Sequence, residues 1–155
     1  MTGVAEATAA APAIVVSRVI SASPESLFDA WLDPAAVGIW LRPGNAESTD
    51  AVIDPRVGGR FTIVMNSATP TIHGGTYQVI DRPRRLVFTW RSTHTGDRDT
   101  LVTVDFVARD AADATPSTEV TITHEQLPNE TARLMHTDGW SDGLVLLEQF
   151  VAEPR

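Results

Sequence analysis

The spacing of hydrophobic positions changes along the chain, and the change divides it into segments. Ile14 to Ser21 (IVVSRVIS) is rich in β-branched residues and predicts a first strand. Ser23-Pro24-Glu25 then supplies an N-cap, a proline suited to the first helical position and an acidic residue that complements the helix dipole. Beyond it, Leu27, Phe28, Trp31 and Leu32 fall at helical spacing. Asp33-Pro34 ends this helix and opens a second short one carrying Val37, Trp40 and Leu41, which Pro43-Gly44-Asn45 stops. From Glu47 onward the period is two. Strands are predicted over Ser48 to Ile53, Arg60 to Ser67, Thr71 to Ile80, Arg85 to Arg91, Thr100 to Ala108 and Thr118 to His124. The gaps carry turn chemistry: Asp54-Pro55 with Gly58-Gly59, Asp81-Arg82-Pro83, Gly96-Asp97, and Asp110 to Ser117. Such short gaps suit hairpins, so an antiparallel meander is expected rather than βαβ units.

Alternation also assigns faces. Phe61, Ile63 and Met65 share one face with Gly75, Tyr77 and Val79, then Leu86, Phe88 and Trp90, then Val102, Val104 and Phe106, then Val120, Ile122 and His124. The opposite face carries Thr62, Thr76, Gln78, Thr89, Arg91, Thr103, Asp105, Thr121 and Thr123, so one face is apolar and the other wet. The last segment, Asn129 to Val151, has a cap at Asn129 and a stripe of His136, Trp140, Leu144, Leu147 and Val151 to lay on the apolar face. Glu130, Arg133, Thr137, Ser141 and Glu148 lie largely off that stripe. A strand, two short helices, six strands and a long helix make an α+β helix-grip arrangement, with a curved sheet of six to seven antiparallel strands.

Composition narrows the function classes. At 155 residues, with 43% hydrophobic and 21% charged content, one domain over residues 13–152 is expected behind a disordered tail, Met1 to Pro12. That tail lacks the basic and apolar regions of an export signal. The net charge of −8 argues against nucleic acid and against an anionic membrane surface, and no apolar run reaches 18 residues. The absence of cysteine removes thiol nucleophiles, thiolate metal sites and disulfides, and a cytoplasmic setting is expected. All 12 basic residues are Arg, so Schiff-base and P-loop lysine chemistry are excluded.

The remaining chemistry is sparse. Gly139-Trp140-Ser141-Asp142-Gly143 matches G-x-S-x-G, but a nucleophile elbow requires a strained strand-to-helix turn and this match lies inside a helix. Packing is the reading, with Gly139 and Gly143 letting sheet or backbone approach closely. His73, His94, His124 and His136 form no HxxxH or HExxH pair, so no metal site is expected. His94 belongs to a polar loop and is expected in solvent. His73, His124 and His136 are set apart from it: His124 continues the apolar alternation and His136 begins the helix stripe, so both are expected to point inward, either as structural groups bonded across the helix–sheet seam or as polar anchors or general bases. Glu125, Asp138 and Asp142 are expected on wet faces, and Arg82, Arg84 and Arg85 in a solvated turn with local ion pairs.

Several of these segments together resemble one family. They are Ser17-Arg18, Phe28-Asp29-Ala30-Trp31, Trp40, Gly58-Gly59-Arg60-Phe61, Gly75-Thr76-Tyr77, Arg85-Leu86-Val87-Phe88-Thr89-Trp90, Thr123-His124-Glu125 and His136-Thr137-Asp138-Gly139-Trp140. The chain is similar, over about residues 14–151, to bacterial single-domain proteins of the Hsp90 ATPase activator homologue type, within the START-like, Bet v 1-like superfamily. The resemblance implies the helix-grip fold with an apolar cavity between the sheet and the long helix. The candidate lining is Trp40, Phe61, Met65, His73, Tyr77, Phe88, Trp90, Val102, His124, His136, Trp140 and Leu144. Fold does not decide activity. The expected role is binding an apolar or aromatic small molecule without a cofactor, as a monomer or homodimer. The alternatives are a cofactor-free polyketide cyclase or aromatase, with His124, His136 or Tyr77 moving protons, and a module that contacts a chaperone or regulator.

Overall fold

The computed structural model describes residues 12–42, 47–109 and 115–153. The elements are β1 (Ile14–Ile20), α1 (Pro24–Leu32), α2 (Pro34–Trp40), β2 (Ser48–Ile53), β3 (Arg60–Asn66), β4 (Thr71–Asp81), β5 (Arg85–Trp90), β6 (Thr100–Arg109), β7 (Ser117–Glu125) and α3 (Glu130–Ala152), with a 3-10 turn at Thr93–Thr95 between β5 and β6. The seven strands form one antiparallel sheet in the order β1-β7-β6-β5-β4-β3-β2. The chain thus meanders from β2 to β7, and β1 closes on β7 across the full length of the sequence. The expected tail, apart from exposed Pro12, lies outside the described residues, as do the stop at Pro43-Gly44-Asn45 and residues 110–114 of the last turn.

Each helix starts where a short polar side chain answers its unpaired N–H groups. The Ser23 hydroxyl accepts from the Ser26 N–H at 3.1 Å, and the Asn129 amide oxygen accepts from the Ala132 N–H at 2.9 Å. Asp33 serves two helices. Its N–H donates to Asp29 O at 3.2 Å to end α1, and its carboxylate accepts from the Ala35 N–H at 3.0 Å to begin α2.

One predicted face changes. Tyr77 pairs with Phe88, but Val79 pairs with Val87, so β4 holds one extra residue there. That bulge flips the alternation. Val79 is 38% exposed instead of facing inward, and Ile80 packs against the core in its place. The inner face is otherwise as the alternation predicts, and Gly75 is part of it for a steric reason. A Cβ at Gly75 would sit 1.9 Å from Thr89 O and 2.6 Å from the Phe61 ring, so Phe61 occupies the space of the missing side chain. The outer face mixes the expected threonines with exposed Val15, Val19, Val52, Ile72 and Val107.

Against the inner face, α3 buries His136, Trp140, Leu144 and Leu147. It packs along β1 and against α1 and α2, and Arg18 on β1 donates to Glu148 of α3 from Nε at 3.0 Å and Nη2 at 2.7 Å. The arginine cluster forms the expected ion pairs: Arg82 with Asp29, Arg84 with Asp81 and Arg85 with Asp105. These are exposed and stabilise little; Arg82 nonetheless grips both oxygens of Asp29, at 2.8 and 2.9 Å, and so pins the β4–β5 turn to α1.

Candidate functional site

The space between sheet and helix is divided. Near α1 and α2 it is filled by the chain's own aromatic rings. Trp31 meets Trp40 edge-on at 4.8 Å between centroids, and Phe61 meets Phe88 in the same manner at 5.5 Å. What remains among Trp31, Trp40, Phe61, Tyr77 and Phe88 is a void of about 20 Å³. At the other end, between the tips of β3 and β4, the 3-10 turn and the first half of α3, lies an open cavity of about 330 Å³. Leu41, Trp90 and Trp140 border both spaces and form the partition. The two indoles lie 5.1 Å apart, and an aromatic chain runs through them from Trp31 (5.9 Å from Trp140) to His73 (4.7 Å from Trp90).

A buried hydrogen-bond relay holds the partition. The Trp140 indole N–H donates to His124 Nδ1 at 3.0 Å, so Nδ1 carries no proton. The proton is on Nε2, which lies 2.7 Å from Thr100 Oγ1, and that hydroxyl donates to Trp90 O at 2.6 Å. The relay joins the Trp140 side chain to the Trp90 backbone across β6 and β7. Burial holds His124 neutral, with repulsion from His136 adding to it, and lowers its pKa to about 3. Both its nitrogens are committed and it is fully buried, so it is a structural group with no lone pair for proton transfer.

His136 and His73 are placed differently. His136 Nδ1 lies 2.7 Å from Ala132 O, one turn back along α3; a carbonyl only accepts, so Nδ1 is the donor and Nε2 an acceptor. Burial lowers its pKa. His73 is 5% exposed and its pKa falls to about 4, chiefly through burial, with the charges of His94 and His136 adding repulsion. Its Nδ1 has no hydrogen-bond partner, and neither does the indole nitrogen of Trp90, which is 3% exposed.

Of the twelve residues expected to line a pocket, Met65, His73, Trp90, His136 and Trp140 border the open cavity. Trp40, Phe61, Tyr77 and Phe88 surround only the small void, while Val102, His124 and Leu144 are packed core bordering neither. The reason is volume: Trp31 and Trp40 reach in from the two short helices and fill that end. Burial pushes the Tyr77 phenol up, so it stays protonated. The pattern had set His94, Asp138 and Asp142 in solvent; all three are exposed, yet they rim the open cavity. Ser92 and Thr95 hold His94 there through a reciprocal capping box around the 3-10 turn. Met135 and Gly139 also line it and were missed. Gly139 corrects the packing expectation, since a Cβ there would meet nothing within 4 Å. Gly143 does meet neighbours, Trp40 and Leu41 of the α2 end, both at 3.7 Å. Glu125 lies at the end of β7, away from the cavity. Among the described residues, no three His, Cys, Asp or Glu side chains are grouped to hold a metal ion, and no helix is long and apolar enough to cross a membrane.

A curved antiparallel sheet gripping one long helix, with a cavity at one end of the seam, defines a START-like helix-grip protein. The chain belongs to the family described as "Activator of Hsp90 ATPase homolog 1-like protein", whose model matches residues 21–152. Its fold is similar to that of solved proteins from three bacteria. One from Chromobacterium violaceum is 26% identical with a TM-score of 0.72, over 92% of this chain and 98% of that one. Another from Mesorhizobium loti is 21% identical with a TM-score of 0.71, over 91% and 97%. A third from Nitrosomonas europaea is 17% identical with a TM-score of 0.70, over 90% and 94%. No curated protein matches the chain by sequence.

Proposed function

We propose that the protein binds an apolar or aromatic small molecule in the open cavity under the first half of α3. The observation that carries this reading is the contrast in filling. The same seam that is packed to a void of about 20 Å³ near the short helices opens to about 330 Å³ between Met65, His73, Trp90, His136 and Trp140. A volume at the lower end of the roughly 300–1,000 Å³ usual for ligand pockets suits a compact ligand of one or two rings. Native mass spectrometry of freshly purified protein and a thermal-shift screen of small aromatic compounds test it. A co-purified small molecule or ligand-dependent stabilisation is expected. An empty protein that no compound in a broad screen stabilises would sink the reading.

A cyclase-type reaction has one observation in its favour, the His136 Nε2 acceptor beside the cavity, with Asp138 and Asp142 at its mouth. His124 and Tyr77 cannot share that work, the first because both nitrogens are committed and the second because it lies behind the partition. Turnover abolished by His136→Gln with binding retained would favour the enzyme over the binder.

A further inference from the structure

We infer that the relay from Trp140 through His124 to Thr100 sets the length of ligand that the open cavity accepts. It fixes the Trp140 indole as the floor of that cavity. Trp140 meets the ligand, and His124 is a positioning residue that acts through it. This rests on the binding reading above and specifies the limit of that site.

The relay interrupts an apolar surface. On the inner face β6 presents Val102, Val104 and Phe106, and β7 presents Val120 and Ile122, all buried. Where the two strands reach Trp140 they carry Thr100 and His124 instead, both fully buried. Apolar residues of similar shape would fill this core at little cost, because replacing both partners of a buried hydrogen bond is close to neutral. What apolar contact does not supply is direction.

Direction matters at Trp140 because its packing is one-sided. The Trp31 ring lies 5.9 Å away toward the closed end, and the Trp90 ring 5.1 Å away within the partition. On the other side is the open cavity of about 330 Å³, and open space offers a ring no contacts to hold it. The hydrogen bond from the Trp140 N–H to His124 Nδ1 holds it instead, and Thr100 fixes His124 through Nε2. Of the three partition residues, Trp140 alone has its side chain held by a hydrogen bond. Leu41 has no polar side-chain atom, and the Trp90 indole nitrogen has no partner. Behind this floor the seam closes to a void of about 20 Å³, so a ligand that reaches Trp140 goes no deeper.

The test is calorimetric titration of the purified protein at neutral pH with a homologous series, 4-ethylphenol to 4-octylphenol. Affinity should rise about fourfold for each methylene buried, then stop rising at the homologue whose chain meets Trp140. Trp140→Ala should move that break to longer chains, and Trp140→Leu should do so if the alanine variant does not fold. His124→Phe keeps a buried ring but leaves the Trp140 N–H without an acceptor, and should shift or erase the break. His124→Asn, whose amide oxygen can take the place of Nδ1, should keep it. A purely structural His124 would alter stability and leave the affinity ratios between homologues unchanged. A break left in place by the Trp140 variants and His124→Phe, or lost equally in His124→Asn, would overturn the assignment while leaving the binding reading standing. So would affinity that climbs through the whole series in the unaltered protein. If no homologue binds, the floor fails together with the binding reading.

Discussion

The two ends of the helix–sheet seam are built from the same materials and end in different states. Near α1 and α2, five aromatic residues on two helices and three strands close to within about 20 Å³ of solid packing. At the far end, two tryptophans, three histidines and two methionines are among the residues around an open space of about 330 Å³. The difference lies in what faces the sheet. At the closed end the short helices drive Trp31, Val37 and Trp40 onto β3, β4 and β5. At the open end there is only the first half of α3, and it presents Gly139 where a side chain would otherwise project. Stability is thus concentrated on one side of the Trp90–Trp140 partition and space on the other. Of the six aromatic residues expected to line a pocket, four support the open cavity from behind and two line it.

The two ends should differ most under truncation. Trp40→Ala removes a fully buried indole whose N–H donates to Ala30 O at 2.9 Å, and should cost about 3–5 kcal/mol. Met65→Ala, at the open end and only half-buried, should cost about 1 kcal/mol. Urea unfolding of both variants measures the gap. Equal losses would mean that the two ends are packed alike.

Acid should act through the histidines on and beside the partition. Unfolded, each imidazole takes up a proton near pH 6.5; folded, His73 does so only near 4 and His124 only near 3. Between those values the unfolded chain holds more protons, so stability falls as pH falls. The slope should reach roughly 1.4 kcal/mol per pH unit for each residue. Above pH 7 both states are neutral and the contribution is flat. Denaturant midpoints from pH 7.5 to 4.5 test this, and His73→Phe should remove its share of the slope while keeping a ring against Trp90. A midpoint unchanged down to pH 4.5 would contradict the buried neutral state of both groups.

How much of this was legible in the sequence depends on the range of the forces involved. The strands, the caps at Ser23, Asp33 and Asn129 and the stripe on α3 follow from local periodicity and short polar side chains, and they are where the pattern put them. The bulge was hidden because Val79 and Ile80 are both apolar, so alternation alone could not choose which faces inward. His136 and Trp140 were visible four residues apart on the stripe. The partition was not visible, because it depends on how far Trp31 and Trp40 reach across from elements remote in sequence. Met135, Asp138 and Asp142 sit on the flanks of the stripe, where a helix enters solvent, and a rim position there has no periodic signature of its own.

The smallest expected effect is the most discriminating. Gly139 is in the interior of α3, where glycine costs up to about 1 kcal/mol relative to alanine through the backbone freedom it surrenders. A Cβ there meets nothing within 4 Å, so Gly139→Ala should stabilise the fold by about 0.5–1 kcal/mol. Gly143→Ala, whose Cβ would lie in ordinary contact 3.7 Å from both Trp40 and Leu41, gains the same propensity together with that contact and should stabilise at least as much. A larger ring separates stability from space. Gly139→Phe should project into the open cavity, keep or raise the urea midpoint, and block whatever the cavity holds. Trp40→Ala would lower stability while leaving the open end in place. A Gly139→Phe protein that folds and still binds ligand with unchanged affinity would move the binding site away from this cavity. Loss of binding with stability intact would tie function to the end of the seam that α3 leaves open.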